Sequence, residues 1–308
     1  MSGAVVLIIL ANVIGGATYL AQKCALDGLP PATVTLLRNL IAMACMVLWL
    51  APKGGLTWRY DRAELRRLAL VGVVGYAAPL LLGIWGLRGS TAGNGSILIL
   101  LEPASILVFS WLLLRERIRV IQVLGILAGL AGALCIVLEQ APIGDLFTGA
   151  HLRGNLVLAA HGILWGLYSP LMLPLARRHR ATDVTFAAMV FSMLLLVPAT
   201  LAEIPQWHGG PTLGPALLWT LALGVIASFG GTVLWVTALQ HLNASTVAPF
   251  VFLQPLSGVL AGHLVLGEVL TREALLGGLL IGAGVLLVIA PSMRRRSATA
   301  APTRATAD

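Results

Sequence analysis

Residues 101–116, LEPASILVFSWLLLRE, and residues 253–268, LQPLSGVLAGHLVLGE, are two versions of one segment, 152 positions apart. Leu114-Arg115-Glu116 falls on Leu266-Gly267-Glu268, Pro103 on Pro255, Ser105 on Ser257 and Glu102 on Gln254. Beyond them Leu124-Gly125 falls on Leu276-Gly277, and Ala131-Gly132 on Ala283-Gly284. Each copy runs for a dozen apolar residues before its first loop charge. The chain therefore reads as a duplication whose unit is built from apolar helices.

Working outward from this pair, apolar residues make up 58% of the chain and charged ones 10%, with a mean hydropathy of +0.93. A soluble domain carries roughly 25% charged residues. So few charges cannot cover a water-facing surface, whereas lipid asks for none. Ten apolar runs are long enough to cross ~30 Å of hydrocarbon as helices. They lie at 3–25, 32–51, 67–87, 91–114, 119–138, 154–176, 183–202, 213–238, 243–266 and 272–290. Pro30-Pro31, Pro52-Lys53-Gly54-Gly55 and Gly209-Gly210-Pro211 punctuate the gaps. Asp61 with Glu64 reads as a helix N-cap ahead of the third run. The first run lacks a basic n-region and is of helix length, so it reads as a span and not as a cleavable signal.

These limits give an all-α integral membrane protein of ten transmembrane helices. The first five-helix repeat spans 1–138, an external linker 139–153, the second repeat 154–290, and a disordered cytoplasmic tail 291–308. Five spans per unit is odd, so the second unit enters the membrane inverted. The basic residues agree. With the N-terminus inside, fifteen of the 20 Lys and Arg residues fall in inside loops and four outside, and Arg38 lies within a span. The expected location is a plasma membrane of the bacterial inner-membrane kind, with both termini cytoplasmic.

Several function classes are excluded or weakened. The net charge of +8 sits in short gaps between spans and forms no nucleic-acid patch. Cys24, Cys45 and Cys135 lie inside apolar runs without ligand spacing, so no metal and no cofactor is expected. No G-x-x-x-x-G-K-[ST] is present, nor H-E-x-x-H. Ser96 and His161 lack the elbow of a serine hydrolase. The leading reading is a secondary transporter of small molecules, not an enzyme. An intramembrane enzyme and a lipid scramblase or channel are the alternatives.

The segments Leu101-Glu102-Pro103 through Leu114-Arg115-Glu116-Arg117 with Gln122-x-x-Gly125, and Leu253-Gln254-Pro255 through Leu266-Gly267-Glu268 with Thr271 and Gly277, resemble the EamA family of the drug/metabolite transporter superfamily. The resemblance covers 8–138 and 154–290. It implies a ten-helix permease that exports or exchanges small metabolites such as amino acids or drug-like compounds, often with proton coupling. It does not specify the cargo. Arg115 departs from the more usual Gly-Glu pair.

Candidate site residues are the polar groups inside spans. Glu102 is mid-span, where a charged carboxylate costs about 2.5–3.5 kcal/mol on insertion scales. It reads as a proton-coupling group, against a neutral Glu hydrogen-bonded to a neighbouring helix. Pro103 should open the helix beside it and free the carbonyl of Ile99, and Pro255 should do the same in the second copy. Gln254 reads as a substrate ligand or as an interhelical hydrogen-bonding group. Span one carries a stripe of Asn12, Gly15, Gly16, Tyr19, Gln22 and Lys23, in which Asn12 and Tyr19 face either substrate or a packed helix. Span six carries His161, Trp165, Tyr168 and Ser169. Trp165 and Tyr168 read as the wall for an amphipathic substrate, and His161 as a second proton-coupling candidate. Arg38 is read three ways: pairing with a substrate carboxylate, pairing with Glu102, or snorkelling outward. The resemblance includes an Arg near this place, which favours a functional role. His263 reads as interfacial. Gly125, Gly129 and Gly132, with Gly278 and Gly282, offer small-residue faces for packing within a half or in a homodimer. The remaining partners expected are the substrate and membrane lipid.

Overall fold

The computed structural model describes residues 2–90, 92–138, 149, 151–207, 210–266 and 271–299, and among these every regular element is helical. In chain order the first half comprises α1 (Ser2–Leu26), α2 (Pro31–Leu50), α3 (Arg62–Leu70), a π-helical segment Val71–Ala77, α4 (Ala78–Arg88), α5 (Ala92–Leu98), α6 (Leu101–Leu114) and α7 (Val120–Leu138). The second comprises α8 (Leu152–Ala176), α9 (Ala181–Glu203), α10 (Leu213–Ala222), a π-helical segment Leu223–Gly231, α11 (Thr232–Leu239), α12 (Ala244–Val247), a 3₁₀ segment Ala248–Phe252, α13 (Leu253–Leu266) and α14 (Arg272–Thr299). The order of elements repeats, and α6 and α13 begin and end at the same 152-residue offset.

Seven helices among the described residues are long and apolar enough to cross a membrane, and Gly3–Thr18, Leu101–Leu114 and Ala244–Leu260 are shorter apolar helices. Together they overlie the ten apolar runs. Local chemistry explains their ends. Pro31 opens α2, where its missing N–H costs nothing. Asp61 caps α3 in a complete capping box: its side chain accepts from Glu64 N, and the Glu64 carboxylate accepts from Asp61 N. Arg115 closes α6 at φ 52°, the left-handed conformation that favours glycine. α14 runs through Thr299, past Pro291 where the tail was expected to begin.

The two halves interleave. α1 lies against α10, α11 and α13 of the second half, whereas α8 lies against α4, α5 and α6 of the first. α7 packs along α14. At that seam Gly132 faces Gly277 and Gly125 faces Gly284, and a Cβ on Gly132 would come within 2.5 Å of the Gly277 carbonyl. The glycine expectation is corrected here. Gly278 meets only the Leu256 side chain and Gly282 meets nothing within 4 Å. The register of α14 turns 277, 281 and 284 toward α7 and leaves 278 and 282 off the seam. Gly125 and Gly132 are thus covered inside the chain, as is Gly129 by Phe252, and these faces supply no dimer surface.

Candidate functional site

Each of the two π segments lies against a helix of the other half. Gly72 in the first lies under α9, where a Cβ would strike the Ala188 carbonyl. Gly224, its counterpart in the second, lies under α2, where a Cβ would meet Ile41 at 2.6 Å and the Arg38 carbonyl at 3.1 Å. This approach sets Arg38 of α2 beside the second π segment, and its Nε–H donates to Ser228 Oγ at 2.7 Å. Next to it Asn39 donates to Ser192 Oγ of α9 at 2.9 Å and accepts from the Tyr76 hydroxyl at 3.0 Å. Tyr76 belongs to the first π segment, and its hydroxyl also approaches Ser228 and Thr232. π-bulges within helices occur frequently at functional sites.

From Tyr76 the site continues onto α8. The Tyr76 ring lies 5.9 Å from Trp165 and 6.0 Å from Tyr168, and those two rings lie 6.2 Å apart, nearly perpendicular. His161 follows 6.4 Å from Trp165. Its Nδ1–H donates to the Pro79 carbonyl at 2.6 Å, which fixes the tautomer because a carbonyl can only accept. Gly83 makes room for that ring, since a Cβ there would stand 2.7 Å from the imidazole. Trp235 Nε1–H donates to Ser169 Oγ at 3.1 Å and ties α11 to the same face of α8. Trp165, Tyr168, His161 and Arg38, separate candidates in the sequence, are therefore linked through Tyr76. Neither Tyr76 nor Asn39 was singled out by sequence. The available signal was slight: one Tyr and one Asn inside otherwise apolar spans.

Three candidates lie differently. Gln254 Nε2–H donates to Asn12 Oδ1 at 3.1 Å, and Asn12 donates back to the Ile8 carbonyl at 2.8 Å. These two are partners across the α1–α13 contact, where Gly15 and Gly16 bring the backbones together. The Tyr19 side chain lies outside the described residues. Glu102 is buried in the first turn of α6, and among the described residues no ion pair or side-chain hydrogen bond reaches it. The pairing with Arg38, one of three readings of that residue, is not formed among the described residues: the Arg38 Nε–H donates to Ser228 instead. Before Glu102 the helix is broken at Ile99 and Leu100, and the Ile99 carbonyl, left without a donor by Pro103, accepts from Glu102 N at 2.9 Å. Pro255 follows the 3₁₀ segment in the equivalent place.

A second polar cluster closes one end of the bundle, at the loops 51–61, 115–119, 177–180 and 240–243. Glu116 accepts from Ala244 N at 3.3 Å and from Ser245 N at 3.0 Å, and Gln122 donates to Ser245 Oγ at 3.0 Å. Arg180 donates to the Gly55 carbonyl and Thr57 Oγ1 while paired to Asp183 at 2.8 Å. His179 meets Glu64 at 3.0 Å and stacks edge-on to Tyr60 at 4.9 Å. Burial, with Asp183 and Glu64 nearby, pushes the Tyr60 phenol above its ordinary range. At the opposite end the halves are joined by the Glu203 carboxylate accepting from Thr33 N and by Trp207 donating to Thr33 Oγ1, each at 3.1 Å.

The sequence pattern of the EamA-like transporter family matches residues 2–138 and again 152–290. The chain belongs to this family. Several relatives match over nine-tenths or more of their length. A Streptantibioticus cattleyicolor protein named "Probable terminal-alkyne amino-acid exporter" is 28% identical over 99% of both chains. An Archaeoglobus fulgidus protein named "Uncharacterized transporter" is 24% identical over 92% of this chain and 96% of its own. Bacillus subtilis YvbV, also named an uncharacterized transporter, is 27% identical over 92% of this chain and 90% of its own. One solved crystal structure superposes with a TM-score of 0.80 at 20% identity, over 96% of this chain and 99% of that one, and establishes likeness of fold alone. The EamA-like chain is thus a multi-pass membrane transporter and not an enzyme.

Proposed function

We propose that the protein is a secondary transporter of small metabolites, such as amino acids or drug-like compounds, that exports or exchanges its cargo by alternating access. Ten spans form two inverted five-helix repeats, 1–138 and 154–290, with both termini on the cytoplasmic side of a bacterial inner membrane. The observation that carries this reading is the polar and aromatic cluster where the two halves cross, Arg38 and Tyr76 from one half with Trp165, Tyr168 and Ser228 from the other. Sites between repeats near the midplane are how secondary transporters bind cargo. The repeated order of elements and the distribution of Lys and Arg support the inverted arrangement.

In this reading the clasp around Glu116, Arg180 and Glu64 is the cytoplasmic gate, closed in the present state. Glu102 carries the coupling proton, because a buried carboxyl that has no partner among the described residues changes charge when water or substrate reaches it. His161, held in one tautomer by Pro79, is the alternative proton carrier. Asn12 and Gln254 hold α1 on α13 and are assigned to the scaffold of the site.

The test begins by comparing metabolites released from cells with and without the protein, which supplies the cargo. Purified protein in liposomes should then accumulate it against its gradient when a pH gradient is imposed. Glu102→Gln keeps shape and hydrogen bonding and should abolish that accumulation while counterflow without a gradient persists. Full gradient-driven accumulation by Glu102→Gln would remove Glu102 as the coupling group and leave His161.

A further inference from the structure

Arg38 stands out from the groups around it by what it leaves unused. Asn39, Tyr76 and Ser192 form a closed chain in which Tyr76 donates to Asn39, Asn39 to Ser192, and Ser192 to the Met189 carbonyl at 2.6 Å. A guanidinium carries five N–H donors in a rigid planar fork. Only the Nε–H of Arg38 is bonded, and among the described residues neither Nη group has a hydrogen-bond partner and no carboxylate pairs with it. A cation taken into a low-dielectric interior without a counter-ion costs several kcal/mol. Snorkelling would avoid that cost, yet Ser228 holds the side chain turned toward the π segment. Through Ser228 the guanidinium lies within electrostatic reach of Tyr76, whose ring is 5.9 Å from Trp165 and 6.0 Å from Tyr168.

We infer that Arg38 anchors an anionic substrate: its Nη groups grip a carboxylate through two parallel hydrogen bonds while the rings of Tyr76, Trp165 and Tyr168 cover an apolar body. The chemical class is a monocarboxylate with an apolar or aromatic side, and neutral and purely cationic compounds are disfavoured. Arg38 is the one Lys or Arg that the sequence places inside a span away from its edges, so the site balances one negative charge, and a phosphate dianion would leave a charge uncompensated. Ser228 acts as the positioning residue that keeps the fork facing inward. This inference rests on the transport reading above for its assumption that the cluster meets the cargo.

Three probes with one body and different charge test it: 3-phenylpropionate, 3-phenylpropanol and 3-phenylpropylamine, titrated against the purified full chain with thermal stability and tryptophan fluorescence as readouts. The acid should bind at least about tenfold more tightly than the alcohol, and the amine more weakly than either. Arg38→Gln should erase the preference for the acid, and Arg38→Lys should recover only part of it because a point charge replaces the fork. Ser228→Ala, which leaves Arg38 in place, should weaken acid binding without changing alcohol binding. Equal affinities for the three probes, no saturable binding of the acid, or an undiminished preference in Arg38→Gln would each overturn the inference. Tighter binding of phenylphosphonate than of the acid would overturn the choice of carboxylate. Counterflow in liposomes separates the two readings. If the acid binds through Arg38 but is not moved, the transport reading fails and the anion site stands. If the alcohol is moved and Trp165→Ala stops it, transport through the aromatic wall stands and the anion anchor fails.

Discussion

α1 and α8 hold the same place in their halves, and each carries a polar and small-residue stripe in the sequence, yet they spend these residues differently. On α1, Gly15 and Gly16 press against Gln254 and Ser257, and Asn12 is bonded to Gln254. On α8, Gly162 and Gly166 press in the same manner against Leu98 and Ser105, while His161, Trp165 and Tyr168 rise beside them into the cluster around Tyr76. Ser105 and Ser257 are counterparts at the 152-residue offset. Both helices therefore use glycine to dock on the opposite half, and only α8 adds a row of large side chains to the site. A duplicated unit has kept its packing role twice and its aromatic wall once.

The largest effect should come from breaking the docking that the helices share. A Cβ on Gly16 would collide with Ser257 Oγ and with the backbone carbonyl of Gln254, which has no rotamer to move aside. Gly16→Val should cost at least about 3 kcal/mol and remove most folded protein from the membrane. The amount of monodisperse protein recovered in detergent measures it. Wild-type recovery would show that α1 sits loosely and that the α1–α8 equivalence fails.

Next comes the wall that only α8 possesses. Trp165→Ala should leave folded protein in place and reduce transport affinity about tenfold or more, the value of an aromatic contact and its buried area. Tyr76→Phe removes one hydroxyl and its bond to Asn39, about 1 kcal/mol of stability, and should alter selectivity more than abundance. Unchanged transport of several unrelated substrates by both variants would make the rings packing elements like the glycines of α1.

Tyr76 also shows where the sequence ran out. Apolar run length located the helices, and the offset between Leu101 and Leu253 located the duplication, because both depend on local composition. Trp165 and Tyr168 were visible as a stripe because α8 is a regular helix with a fixed period. Tyr76 lies in a π turn, where that period breaks, and no spacing rule points it at α8. The clasp of Glu116 on Ala244 and Ser245 joins residues more than a hundred positions apart, a relation that local pattern cannot encode. The seam glycines were readable as a class but not in register, since 277 and 278 differ only in which side of α14 meets α7.

A smaller effect sharpens the comparison at the ends of the repeated helices. Arg115 adopts φ 52° at the close of α6, where the second copy of the motif carries Gly267. An L-residue in that conformation costs roughly 1–2 kcal/mol. Arg115→Gly should regain about 1 kcal/mol after the extra entropy of the unfolded glycine is subtracted. The midpoint of denaturant unfolding should rise, with transport unchanged. A lowered midpoint would mean that the Arg115 side chain contributes more at the loop than the backbone strain costs.

The smallest effect decides whether α1 belongs to the scaffold or to the site. Asn12 and Gln254 meet in a partly buried amide–amide hydrogen bond of 3.1 Å between the halves. Interhelical hydrogen bonds in membranes average about 0.6 kcal/mol in double-mutant cycles and reach about 1.7, because the separated helices find other partners. A cycle of Asn12→Ala, Gln254→Ala and the double variant should return a coupling in that range. Each single variant leaves one amide without its partner and should destabilise more than the double variant's share. Transport affinity should stay within about twofold in all three, since Asn12 Oδ1 and Gln254 Nε2 are engaged with each other in the closed arrangement. The opposite result is equally readable. If Gln254→Ala lowers affinity about tenfold while the cycle returns no coupling, the amide pair is a ligand site that closes on itself only when empty, and α1 joins α8 in the wall.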